Sequence, residues 1–118
     1  MSTTVSPGIV QLQSAAMTGN GGILSVLGHS NGITIVLQST GTTSGGTVTI
    51  EHAYYDVNGP AYTGTWSQVA LVNASDFTGT AQKIFHYPGS FWAIRTRVSS
   101  DITGGGSVSS WGWGWVNN

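Results

Sequence analysis

Apolar and polar residues alternate along this chain with a period of two, and turn residues break the alternation about every 8–12 positions. No stretch sustains a helical period. Gly, Thr, Val and Ser, which dominate the chain, form helices poorly, and Thr and Val favour strands. The pattern predicts eight strands: Ile9–Ala15, Ile23–Leu27, Ile33–Ser39, Thr47–Tyr55, Trp66–Asn73, Ala81–Tyr87, Phe91–Ser99 and Gly106–Val116. Thr18-Gly19-Asn20-Gly21-Gly22 reads as a turn, and Asn31-Gly32 as a tight one. Thr40–Gly46 reads as a flexible loop. Pro88-Gly89-Ser90 reads as the turn of a hairpin joining the sixth and seventh strands. Residues 1–8 are expected to be a polar, flexible arm ahead of one domain at 9–118. Eight short strands without a helix imply two packed sheets or a barrel. The expected fold is an all-β, eight-stranded antiparallel β-sandwich of jelly-roll or Ig-like type.

Strand parity sorts residues between the two faces. In Phe91–Ser99 it puts Trp92, Ile94 and Val98 in the core, and Phe91, Ala93, Arg95 and Arg97 outside. In Thr47–Tyr55 it puts Val48, Ile50, His52 and Tyr54 inside and Glu51 outside, where Glu51 can pair with Arg95 or Arg97 if these strands are neighbours. The most distinctive segment is Trp111-Gly112-Trp113-Gly114-Trp115. A strand there carries three indoles on one face and bare backbone on the other. Val108 and Val116 share the glycine face, which makes that face the core and turns the tryptophans outward, as a large apolar patch suited to binding. The glycines would let another layer approach closely. A bulge near Gly112 would reverse this and send the tryptophans inward. Outward tryptophans suit a protein interface or a platform for sugar rings; Asn117 and Asn118 are the nearby groups for sugar hydroxyls.

Composition narrows the function. At 118 residues the chain is one domain, with no cysteine and therefore no disulfide framework. Only 6% of residues are charged, against about 25% in an ordinary domain. The net charge of −1 gives no attraction to nucleic acid or anionic lipid. A surface made polar by Ser, Thr and Asn, with little charge repulsion, suits a subunit packed on neighbours. Arg95 and Arg97 hold two of the three basic charges. They either bond a partner's carboxylates or carbonyls, or form a solvated face with one intramolecular pair. No segment reads as a targeting signal or a membrane span, so a cytosolic site of synthesis is expected.

Candidate chemistry is sparse. His29 falls in a turn, His52 on a core face and His86 in the strand before Pro88, and no serine stands in a nucleophile elbow. Asp56, Asp76 and Asp101 fall in predicted turns, where Asp is common for its local hydrogen bonds. No cluster has metal-ligand spacing, although an Asp-containing turn leaves a Ca²⁺ site open. Gly104-Gly105-Gly106 has neither the lysine nor the following helix of a phosphate loop. His52 reads as an imidazole bonded to backbone, or as a pH-sensitive contact. Asn73-Ala74-Ser75 matches the glycosylation sequon, with no secretory signal beside it. The expectation is a protein that is not an enzyme and holds no cofactor.

Residues 46–110 resemble small β-sandwich virion proteins of tailed bacteriophages. The resemblance is carried by Gly46-Thr47-Val48-Thr49-Ile50-Glu51, by Trp66 to Val72, by Phe91-Trp92-Ala93-Ile94-Arg95-Thr96-Arg97-Val98-Ser99-Ser100, and by Gly104-Gly105-Gly106-Ser107-Val108. The pattern occurs in capsid decoration (cement) proteins and in tail or fibre modules. For the decoration group it implies a virion protein, made in the host cytoplasm. Such proteins form homotrimers that bind the major capsid protein where its subunits meet and reinforce the head. Under that reading Trp111, Trp113, Trp115, Arg95 and Arg97 lie at contacts with the shell or with other copies. The alternatives are a carbohydrate-binding, lectin-like fibre module and a tail or connector subunit. The Trp-Gly ladder is not part of the family's pattern.

Overall fold

The computed structural model describes residues 9–25, 31–53 and 66–115. The expected N-terminal arm, His29, Tyr54, the loop from Asp56 to Thr65, Val116, Asn117 and Asn118 lie outside the described residues. Eight strands follow in order: β1 (Val10–Ala16), β2 (Gly19–Ser25), β3 (Gly32–Thr40), β4 (Gly45–Ala53), β5 (Ser67–Asn73), β6 (Gln82–Pro88), β7 (Ala93–Thr103) and β8 (Ser107–Trp115). One short 3₁₀ turn, Ala74–Phe77, joins β5 to β6.

The strands form two four-stranded antiparallel sheets, ordered β1-β8-β3-β6 and β2-β7-β4-β5. Chain topology explains that order. β1 pairs with β8, β2 with β7, β3 with β6 and β4 with β5. This is the pairing of one long hairpin, bent between β4 and β5 and rolled up so that alternate strand pairs fall in opposite sheets. That arrangement is a jelly roll, and it decides between the two expected sandwich types.

The core lies between the sheets. Ile33, Ile35 and Leu37 of β3 and Val108 of β8 face Val48 and Ile50 of β4 and Ile94 of β7, all fully buried. Burying each such side chain stabilises the fold by about 1.5–3 kcal/mol. Phe77 and Ala74 join the same cluster. The 3₁₀ turn that carries them is tied down by Thr43, whose Oγ1 donates to the Ala74 carbonyl at 2.8 Å. Ser39 donates to the Phe77 carbonyl in the same way.

A buried polar relay crosses the core. Gln13 Nε2 donates to the Gly19 carbonyl at 3.1 Å, so its Oε1 is the accepting end, and Thr96 Oγ1 donates to it at 2.8 Å. Thr96 has one hydroxyl proton, already given to Gln13. Ser110, 2.7 Å away, is therefore the donor to Thr96. The relay runs from β8 through β7 and β1 to β2, crossing between the sheets at each step. Buried polar groups bonded to one another in this way fix how two sheets register on each other.

Several expectations from the sequence change here. The sixth and seventh strands do not form a hairpin: β6 pairs with β3 in one sheet and β7 with β2 and β4 in the other. Pro88–Trp92 is thus a crossing between sheets. Because the crossing precedes β7, strand parity does not extend to Trp92. Phe91 packs on the core instead, Trp92 is half-buried, and Ala93 is buried. Gly19–Gly22 belongs to β2 and is not a turn. The reason is a close approach, since a side chain at Gly21 would lie 2.8 Å from the carbonyl oxygens of both Leu12 and Thr96. Asp101 lies in β7, which runs on to Thr103. Thr40–Gly46 is shorter as a loop than expected, because β4 begins at Gly45.

Candidate functional site: a tryptophan-lined outer sheet face

The tryptophans of β8 point outward. Gly112 and Gly114 are buried, while Trp111, Trp113 and Trp115 are half-exposed. No bulge intervenes, because β8 keeps an unbroken register with β3 from Ser107 to Trp115. The irregularities sit in β1, around Gln13. The glycine face does what bare backbone allows. A side chain at Gly112 would stand 2.9 Å from Ile35 Cδ1, 3.2 Å from Leu12 Cδ1 and 3.4 Å from Leu24 Cδ2. Leu24 comes from the opposite sheet, so the glycine lets the second layer close on the first.

Register lines up the rest of the face. One row across the sheet reads Gln11, Trp111, Val36, Ile84. The next contains Trp113, Thr34 and His86, and the one on the other side Ser109, Gln38 and Gln82. Ile9, Val36, Gln38, Gln82, Trp111 and Trp113 enclose a groove of about 310 Å³. Ile9 and Ile84 are 69% and 53% exposed, unusual for such side chains. The three indoles are not equivalent: Trp115 lies over Gly32, occupying the space a side chain there would need. Trp111 and Trp113 flank the groove.

None of the described residues on this outer face is Asp, Glu, Lys or Arg. Polarity is supplied by amides, hydroxyls and His86, whose Nδ1 is 2.9 Å from Thr34 Oγ1. Gln82 Nε2 donates to Gln38 Oε1 at 3.3 Å.

Arg95 and Arg97 are not part of this face. They lie on the outer side of the other sheet, across the thickness of the sandwich. Glu51 pairs with both: Arg95 Nε donates to Oε1 at 2.8 Å and Arg97 Nε to Oε2 at 3.1 Å. The carboxylate is only 6% exposed as a residue, held beneath the two guanidinium groups. Arg95 also stacks on Trp66, 4.4 Å from the ring centroid, a cation–π contact. Both arginines give Glu51 their Nε–H. The candidate contact residues thus separate into a neutral aromatic face and a charged face on opposite sides.

His52 accepts the Trp92 backbone N–H at Nε2, 3.2 Å away, and meets the Phe91 ring edge-on at 5.1 Å. Burial pushes its pKa below the ordinary 6.5. A neutral imidazole accepting at Nε2 carries its proton on Nδ1. The backbone-bonded reading of His52 is the one the geometry matches. Among the described residues, no three His, Cys, Asp or Glu side chains converge as metal ligands.

Sequence reasoning found the tryptophans but missed Val36, Ile84, Gln38 and Gln82. Val36 carried a signal, as an apolar residue out of phase with the inward Ile33, Ile35 and Leu37. Gln38 joins the face once β3 is known to pair with β8, and Ile84 and Gln82 only once β6 is known to pair with β3.

An eight-stranded jelly roll with one uncharged aromatic face is the class this fold and surface define. Jelly rolls occur in capsid proteins, lectins and cupins alike, so the fold alone does not choose a function. No protein-family model matches the chain, and no curated protein sequence does. Among solved structures, the chain is similar to the SPBc2 prophage-derived protein YomS, with a TM-score of 0.54 and 17% sequence identity. The match covers 98% of this chain and 96% of YomS. At that identity the likeness is one of fold.

Proposed function

We propose that this chain is a non-enzymatic structural protein of a tailed-phage virion, a capsid decoration protein that binds the assembled head and stabilises it. The observation that carries the reading is the tryptophan-lined outer face, free of charged side chains among the described residues, on a two-sheet scaffold. Such a surface is costly to leave in water and binds by apolar burial and backbone contact, which suits permanent packing on protein. The phage assignment draws support from the sequence resemblance of residues 46–110 and from a fold like that of a prophage-derived protein. The charged face around Glu51, Arg95 and Arg97 supplies a second, separate contact, so one molecule can engage two neighbours.

The test is co-sedimentation of the purified chain with phage heads that lack it. Saturable binding that raises the temperature of head disruption is expected, as is weaker assembly or binding for Trp113→Ala. Absence of saturable binding by the wild-type chain would sink the decoration role. If Trp113→Ala altered neither self-association nor head binding, the aromatic face would lose its role as a contact.

A second reading has its own observation. Gln38 and Gln82 stand beside Trp111 and Trp113 in the groove, and indoles with amides and no charge also fit a neutral saccharide. Retention of glycans by the isolated chain, lost in Gln82→Ala, would favour a lectin-like fibre module over a head protein.

A further inference from the structure

We infer that the aromatic face is the contact between two copies of this chain, related by a two-fold axis that runs parallel to the strands between β8 and β3. The inference deepens the structural-protein reading of this face by naming its occupant, and rests on that face being a protein contact.

Self-complementarity is the first reason. A rotation about such an axis exchanges the two sides of the face while keeping each level along the strands. The row Gln11, Trp111, Val36, Ile84 then meets itself in reverse order. Trp111 of each copy comes over Val36 of the other, and Ile84 of each over Gln11. The raised row of indoles on β8 enters the lower strip along β3, twice, which is the reciprocity a two-fold contact requires. The opposing sheets would cross at the small angle that aligned sheet packing takes.

Charge is the second reason. In a two-fold contact only groups near the axis face their own images, and an ionised group there repels its image. The described part of this face has no Asp, Glu, Lys or Arg to repel. The opposite outer face instead carries the charged Glu51, Arg95 and Arg97, paired within the molecule.

Area is the third. Four strands about 4.8 Å apart, of seven to nine residues at about 3.4 Å per residue, make a face of roughly 500 Å² per copy. Two such faces bury on the order of 1,000 Å², the size a biological interface has to reach. The pairing is twofold, in place of the trimer implied by the decoration family, and leaves the charged faces of both copies turned outward.

Sedimentation equilibrium of the isolated chain tests this without any phage particle. The wild type is expected to show twice the monomer mass, with a dissociation constant on the order of micromolar, as interfaces at the small end of the range give. Val36→Lys places like charges beside the axis and is expected to raise that constant at least about 100-fold. Trp111→Thr, a strand-favouring replacement on the same face, is expected to do the same. Leu71→Thr, at a half-exposed site on the other sheet, is expected to leave it unchanged. A wild type that stays monomeric at about 100 μM overturns the pairing while leaving head binding free to succeed or fail on its own. So does a trimer mass, or association weakened by Leu71→Thr and not by Val36→Lys. A monomer that binds neutral glycan through the groove overturns both the pairing and the structural reading.

Discussion

Replacing Thr96 by Val removes one hydroxyl from the centre of the buried relay and leaves the shape of the core unchanged. Two partners lose their bond. Gln13 Oε1 loses its donor and the Ser110 hydroxyl loses its acceptor, in residues 6% and 0% exposed. An unsatisfied buried polar group costs about 1–3 kcal/mol. The added methyl offsets part of this, so Thr96→Val should destabilise by about 2–4 kcal/mol. For a domain of this size each kcal/mol lowers Tm by roughly 3–6 °C. Ser110→Ala alone should cost less, about 1 kcal/mol, because Thr96 still donates to Gln13. The pair is the sharper test. Adding Ser110→Ala to Thr96→Val removes one orphaned group, so the double variant should be more stable than Thr96→Val alone. Urea unfolding of the four proteins, analysed as a double-mutant cycle, gives the coupling directly. A Thr96→Val loss below about 0.5 kcal/mol, or strict additivity in the cycle, would refute the relay as a satisfied network.

Gly21→Ala should cost about 2–3 kcal/mol, since the new methyl meets two backbone carbonyls at 2.8 Å that cannot swing away. Gly22→Ala, whose nearest neighbour would be 3.7 Å off, should stay within about 0.5 kcal/mol, and thermal melts compare the two. Glu51→Gln removes the charge from two charge-assisted bonds. With Arg97 more exposed than Arg95, the loss should be about 2 kcal/mol, and Arg97→Gln should cost less than Arg95→Gln in the same assay. Stability should fall as pH drops below about 6.5, because the unfolded chain protonates His52 before the folded one does, and His52→Gln should flatten that slope in melts taken from pH 7.5 to 5. At the alkaline end burial raises the Tyr87 pKa, so stability should also decline as pH rises through about 10, where the unfolded tyrosine ionises first.

The strands were legible because most of them are half-buried and alternate cleanly. The final strand shows why this works: Val108, Gly112 and Gly114 share one parity, and the core needs both bulk and close approach on that side. Pairing was not legible. Ala81–Tyr87 and Phe91–Ser99 sit close in sequence across a turn-like Pro-Gly-Ser, yet the rolled topology sends them to different sheets. Gly19–Gly22 looked like a turn for the same reason that glycine suits a pinched strand. Nothing local distinguishes a chain that must bend from one that must pass close to another backbone. The aromatic face was half visible, since parity names its tryptophans but only sheet order adds Val36 and Ile84. Sheet order also separated the tryptophans from Arg95 and Arg97, which the linear sequence had left as one group. Glu51 was placed outward correctly, but its burial follows from being flanked by both arginines at once.

The central claim is that this chain is a repeated structural subunit of a phage head, and its copy number in purified virions tests that most directly. Quantitative mass spectrometry against the major capsid protein should give a fixed ratio corresponding to many copies per particle, all recovered with tail-less heads. A ring-sized number recovered with tails, or the absence of the chain from virions, would contradict the account.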